Sequence, residues 1–240
     1  MKISLLNNRK KLSNLLLASF FMVSLIEIFA ECNENKLLIW ITKPLILPFL
    51  VGYYLSMTKK RNNYFLAAIF CSWIANLLFI EDTLEWIIYA SVFFLIYRIL
   101  IIYIVLNKVK MPSLLPLIIG SMPFVFIYAT VCLLSFEAMG DNLYLFLLHG
   151  IFTIFLGGLS LGNYIMDLNK SNFVLFLSTM LFALTQFIFV LIVFYNPVYL
   201  FHALAMVLFV IGQFLLTKFI FLIENSESNY EVITDLGENT

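Results

Sequence analysis

This chain is poor in charge, in cysteine and in polar connecting segments, and each shortage excludes something. Charged residues make up 12% of its 240 residues, about half the share of a soluble domain. Lys plus Arg number 14 and Asp plus Glu number 14, so the formal net charge is zero. Nucleic-acid binding needs a basic stripe, so no nucleic-acid partner is expected. Cysteine occurs 3 times. Cys71 and Cys132 fall inside apolar runs and Cys32 stands alone in a break. That is neither a disulfide framework nor a metal-ligand spacing. The chain also lacks a P-loop, an H-E-x-x-H and a G-x-S-x-G motif, so no metal and no cofactor is expected. No internal repeat is visible.

What the chain has in excess is apolar surface. Hydrophobic residues are 63% of it and its mean hydropathy is +1.02. A soluble protein of this composition would expose large apolar patches and aggregate, so lipid is the solvent that fits. The apolar runs lie at 13–30, 37–57, 64–80, 85–106, 114–135, 143–166, 173–195 and 197–222. At about 20 residues per crossing, these predict eight transmembrane helices. They are helices because lipid cannot satisfy a free backbone N–H. A transmembrane barrel would show alternating polarity instead. Lys2, Arg9, Lys10 and Lys11 precede the first run, as in a secretion signal. Ile28 is bulky where a cleavage site wants a small residue, so residues 13–30 are read as a retained span. The expected organisation is a basic cytoplasmic segment 1–12, an eight-helix membrane domain 13–222, and an acidic, unordered tail 223–240.

Loop charge predicts the orientation. Lys59, Lys60 and Arg61 follow the second run, Lys108 and Lys110 the fourth, Lys170 the sixth, and Lys218 ends the eighth. The intervening loops hold Glu31, Glu34, Glu81, Asp82, Glu85, Glu137 and Asp141, with Lys36 as their basic residue. Basic loops face the cytoplasm, so both termini are expected inside, in a bacterial cytoplasmic membrane. A self-associating homo-oligomer stays open.

Ionisable groups within a span are costly and are candidates for function. Glu27 lies near the outer end of the first span and Lys43 in the outer third of the second. At similar depth they can form a structural ion pair or share a substrate. Arg98 is near the middle of the fourth span and needs a partner or a wet cavity. His149 and His202 lie in the outer parts of the sixth and eighth spans, and Asn76, Asn163, Gln186 and Gln213 add uncharged polar groups. Such amides also glue helices together at about 1 kcal/mol each.

Several of these residues sit in recognisable surroundings. The stretch Thr42-Lys43-Pro44-Leu45-Ile46-Leu47-Pro48, followed by Tyr53-Tyr54, resembles the opening of the second span in the YhhN family of membrane proteins, which includes the animal lysoplasmalogenases. Ala67 to Phe79 is similar to that family's third span, and Gly157 to Asn169 with Gln186 to its later motif. The resemblance implies an eight-span fold and hydrolysis of the vinyl-ether bond of a lysoplasmalogen, releasing a fatty aldehyde. Two aspartates would supply the acid and the base. Their positions here read Asn76 and Asn163, and Arg98 stands where the family has a histidine. Asparagine neither gives nor takes a proton at neutral pH.

Two functions therefore compete. One is a YhhN-type hydrolase of lysolipids, with Lys43 and Arg98 gripping phosphate and Glu27, Gln186 and His149 lining the substrate. The other is an inactive relative that binds a membrane lipid, a lysophospholipid or a protein in the same cavity. A small transporter is a weaker third. By the span boundaries Asn76 lies near the outer face and Asn163 near the inner one, so straight helices keep the two apart.

Overall fold

A computed structural model describes residues 2–58, 61–81, 83–139, 143–194 and 199–237. Lys59, Lys60, Asp82 and Asp141, which enter the charge pattern, lie outside them. The described residues form eight α-helices: α1 (Lys2–Cys32), α2 (Lys36–Met57), α3 (Asn63–Leu78), α4 (Leu84–Lys108), α5 (Leu114–Met139), α6 (Leu143–Met166), α7 (Lys170–Phe194) and α8 (Tyr199–Gly237). Seven are long and apolar enough to cross a membrane. The eighth, α3, has 16 residues, about 24 Å at the usual rise, short of a hydrocarbon core of about 30 Å. The chain is an all-helical membrane protein.

The helix ends follow from local chemistry. Asn35 caps α2, its side chain accepting from Leu38 N at 3.1 Å. Asn62 caps α3 through Phe65 N at 3.1 Å. Asn169 caps α7 through Asn172 N at 2.8 Å. Each asparagine satisfies a backbone donor that the first helical turn leaves orphaned. The α1–α2 turn is tight enough to force Glu34 to φ 52, a left-handed conformation uncommon without glycine. Helix α1 begins at Lys2, within the segment read as a basic cytoplasmic N-terminus, and α8 differs from the expected unordered tail by continuing through the acidic stretch to Gly237. Residues 238–240 of that tail lie outside the described ones.

Two prolines sit inside α2, Pro44 and Pro48. A proline has no N–H for the carbonyl four residues back, so Pro48 strips the Pro44 carbonyl of its helical partner. The indole Nε1–H of Trp73 on α3 donates to that carbonyl at 2.9 Å. A freed backbone group inside the membrane is thus met by a neighbouring helix.

Sequential helices pack as four antiparallel hairpins, α1–α2, α3–α4, α5–α6 and α7–α8. Packing neighbours then close a ring in the order α1, α2, α3, α4, α6, α7, α8 and back to α1, with α5 outside it against α6 and α7. Phe20, Leu47, Tyr54, Phe65, Leu175 and Phe219 belong to the main buried cluster. On the outside face of α6, glycines let α5 approach. A Cβ on Gly120 would lie 2.6 Å from the backbone nitrogen of Gly162, and one on Gly157 would enter the ring of Phe124. Small residues are what allow such contact between helices in lipid, where apolar burial alone supplies no drive.

Candidate functional site

The ring encloses a cavity of about 740 Å³, within the usual size of a small-molecule site. Its walls come from α1 to α4 and α6 to α8, from the part of each helix nearest the α1–α2, α3–α4 and α7–α8 turns, reaching just past the middle of α4 at Arg98. It is therefore a funnel with one polar end at those turns and the other deep in the bundle. The rim carries Glu31, Glu34, Lys36 and Lys43. The belt is apolar, built from residues such as Ile39, Phe79, Ile87, Phe189 and Met206. The floor is polar and centred on Arg98.

Arg98 lies 14 residues into α4 from Leu84, about 21 Å along the axis. It is buried. Its Nη1 donates to Gln186 Oε1 at 2.8 Å, to the backbone carbonyl of His149 at 3.1 Å, and to the hydroxyl of Thr153. Every one of these acceptors is neutral. Thr153 Oγ1 lies 3.2 Å from the Tyr128 hydroxyl and 3.2 Å from Gln186 Oε1, so α4, α5, α6 and α7 converge on one guanidinium. Among the described residues no carboxylate reaches it. A guanidinium carries five N–H donors, and the bonds found use only Nη1. A second void of about 20 Å³, also touching Arg98, Tyr97 and Thr153, has room for one water.

His149 also faces the cavity. Its Nε2 is 2.9 Å from the carbonyl oxygen of Ser91. A carbonyl only accepts, so Nε2 carries the hydrogen and Nδ1 of the neutral ring is the acceptor nitrogen.

At the rim, Lys43 Nζ bonds Glu31 Oε1 at 2.7 Å and lies 3.6 Å from Glu27 Oε1. The Thr42 hydroxyl donates to the other oxygen of Glu27. Glu27 is fully buried, and its Oε1 accepts no hydrogen bond. Of the two readings left open for Glu27 and Lys43, an ion pair or a shared substrate, the structure has the two 3.6 Å apart, with Glu31 the nearer carboxyl to Lys43. Glu31 escaped sequence reasoning because it lies past the apolar run, in what was read as a loop. Its spacing of four from Glu27 was the available signal, since such residues share a helix face. Thr153 was likewise missed, four residues after His149, as were Tyr128 and Ser91.

The structure brings Lys43, Asn76, Arg98, His149 and Gln186 to one cavity. Asn76 donates to the Ser72 carbonyl at 2.9 Å. Ser72 is tied through its hydroxyl to Gln213 Nε2 at 2.9 Å, and the Tyr97 hydroxyl reaches Gln213 Oε1 at 3.3 Å. Glu27 stays behind Lys43, off the cavity surface. Asn163 is not part of the site. It lies toward the other end of α6, donates to the Leu159 carbonyl at 2.8 Å, and receives Asn172 Nδ2 on its own carbonyl at 3.3 Å. No three His, Cys, Asp or Glu side chains among the described residues converge as a metal would require.

A model of the YhhN family matches residues 38–220, which takes in α3 to α7 whole and most of α2 and α8. No curated protein and no solved structure matches the chain.

Proposed function

The chain belongs to the YhhN family, and from that premise we propose that its cavity is a lysophospholipid site in which Arg98 holds the phosphate. The observation that carries this is the floor of the cavity: a buried guanidinium whose partners are all neutral, below a belt of apolar side chains. A charge inside the membrane costs free energy unless it is paired. A phosphate completes the pairing and takes two guanidinium donors at once. Lys43, the other cation considered for this role, already holds Glu31, so it serves the rim. The apolar belt receives part of the acyl or alkenyl chain.

Binding without turnover is the form of this function that the geometry supports best. Cleaving a vinyl ether needs a proton donor to carbon near the linkage. With phosphate on Arg98, the groups around the linkage are Asn76, Gln186 and His149, and Asn163 is outside the cavity. One observation favours the hydrolase nonetheless. Glu27 and Glu31 form a carboxyl pair on Lys43, and Glu31 lines the rim; such pairs can divide acid and base roles. For this reading the lipid enters head outward, with its linkage at the rim. We further propose eight crossings, both termini in the cytoplasm and the funnel opening outward, in a bacterial cytoplasmic membrane.

One experiment separates these readings. Purified protein is incubated in detergent with lysoplasmalogen, and both the bound lipid and the released aldehyde are measured by mass spectrometry. Saturable retention without aldehyde is expected, with affinity falling about tenfold or more in Arg98→Met, the loss of a charge-assisted contact. Aldehyde release abolished by Glu31→Gln establishes the hydrolase instead. Retention unchanged in Arg98→Met defeats the proposed phosphate site.

A further inference from the structure

We infer that the floor of the funnel selects a single-chain amphiphile whose head is a terminal oxyanion, a carboxylate or a phosphate monoester, over one with a zwitterionic head. The inference rests on the lysolipid reading above and narrows it to a class of headgroup.

Charge is partitioned along the cavity. Among the described residues the lining carboxyls are Glu31 and Glu34, which lie at the rim beside Lys36 and Lys43. The floor holds Arg98 with only neutral neighbours: the Gln186 amide, the Thr153 hydroxyl and the His149 backbone carbonyl. A head seated on Arg98 therefore meets one positive charge and no negative one. An oxyanion balances that charge. A choline or ethanolamine head brings its own cation to the same place, where like charges repel through a poorly screening interior. The carboxyls that could receive that cation, Glu31 and Glu34, lie toward the rim, and Glu31 is already held by Lys43 at 2.7 Å. Size points the same way. The spare Nη2 and Nε donors form a flat fork, which fits the oxygens of a small anion side by side. Placed head down, such a ligand runs its chain along the apolar belt toward the rim.

The test uses full-length protein in phosphatidylcholine nanodiscs and compares four single-chain probes of matched length: oleate, oleoyl lysophosphatidate, oleoyl lysophosphatidylcholine and monoolein. The two oxyanion lipids are expected to bind about tenfold or more tighter than the zwitterionic and neutral ones, as a charge-assisted bidentate contact implies. Oleate and lysophosphatidate also tell carboxylate from phosphate monoester as the natural head. Arg98→Gln is expected to level the four affinities, and Arg98→Lys to retain the order. The wild-type series stands alone if Arg98→Gln does not fold. Lysophosphatidylcholine binding as tightly as lysophosphatidate overturns this inference and leaves the lysolipid site intact. A preference that persists in Arg98→Gln overturns the assignment to Arg98. Absence of binding by every probe overturns both.

Discussion

At the scale of single residues, the membrane makes each unsatisfied polar group expensive, and two such groups are handled in visible ways. The Pro44 carbonyl is freed by Pro48 and taken by the Trp73 indole. Trp73→Phe is therefore expected to cost about 1–3 kcal/mol, the penalty for a buried acceptor left alone. In a Pro48→Ala background the helix recovers its own donor, so the same change should cost about 1 kcal/mol less. A double-mutant cycle on thermal stability in detergent reads the coupling; strict additivity would mean that the indole bond contributes nothing. The rim triad offers a second case. Lys43 is the cation shared by Glu27 and Glu31, and all three are buried. Lys43→Met should destabilise by about 3–5 kcal/mol, because two carboxyls lose their partner. Adding Glu27→Gln and Glu31→Gln should recover much of it. Lys43 and Glu27 were legible in sequence because depth along each span places them together. Glu31 was not, because hydropathy ends the first span one residue before it while the helix runs on to Cys32. Thr153 and Ser91 were hidden for a different reason. Neither residue type is unusual in a span, and their importance comes only from Arg98 and His149 arriving from other helices.

At the scale of helices, hydropathy located every element and the asparagine caps explain where three of them begin. Hydropathy is silent about which faces meet, and the α5–α6 pair shows what decides that. Gly157 to Asn169 carried part of the family resemblance, yet Gly157, Gly158 and Gly162 point at α5, away from the cavity polar groups. A Cβ on Gly120 would sit 2.6 Å from Gly162 N and 2.8 Å from Gly158 O, both backbone atoms. Neither can move without shifting a helix, so Gly120→Ala should lose about 1–3 kcal/mol as an overpacked contact. Gly52 is the control. A Cβ there meets the end of the Leu16 side chain at 3.3 Å, which can rotate aside. Alanine also favours the helix by up to about 1 kcal/mol over glycine, so Gly52→Ala should be neutral or stabilising. Equal losses at both positions, measured by thermal unfolding in one detergent, would refute close backbone packing as the cause. The cavity itself could not be read from one helix at a time. Its floor exists because α4, α6 and α7 meet at one depth, a property of ring order that periodicity does not encode.

At the scale of the whole molecule, the proposed eight crossings turn on the short helix α3. Its 16 residues fall below a comfortable span, yet Phe79 and Ile80 beyond its end line the same cavity as Glu31, Glu34 and Lys36 of the α1–α2 turn. The turn after α3 is therefore at the same end of the bundle as the turn after α1, and α3 runs from one end to the other. The proposed orientation puts Arg61 and Lys110 on the basic, cytoplasmic side and Glu34 and Glu81 on the acidic side. These two arguments are independent, and cysteine labelling joins them. Cys32 is exposed at the funnel end, so a membrane-impermeant maleimide should label it on intact cells. In a Cys32→Ser background, Glu81→Cys should label from outside, and Arg61→Cys and Lys110→Cys only after permeabilisation. Labelling of Arg61→Cys and Glu81→Cys from the same side would mean that α3 turns back within the membrane. The rim would then be split between the two faces, and a lipid could no longer enter the funnel from the outer leaflet.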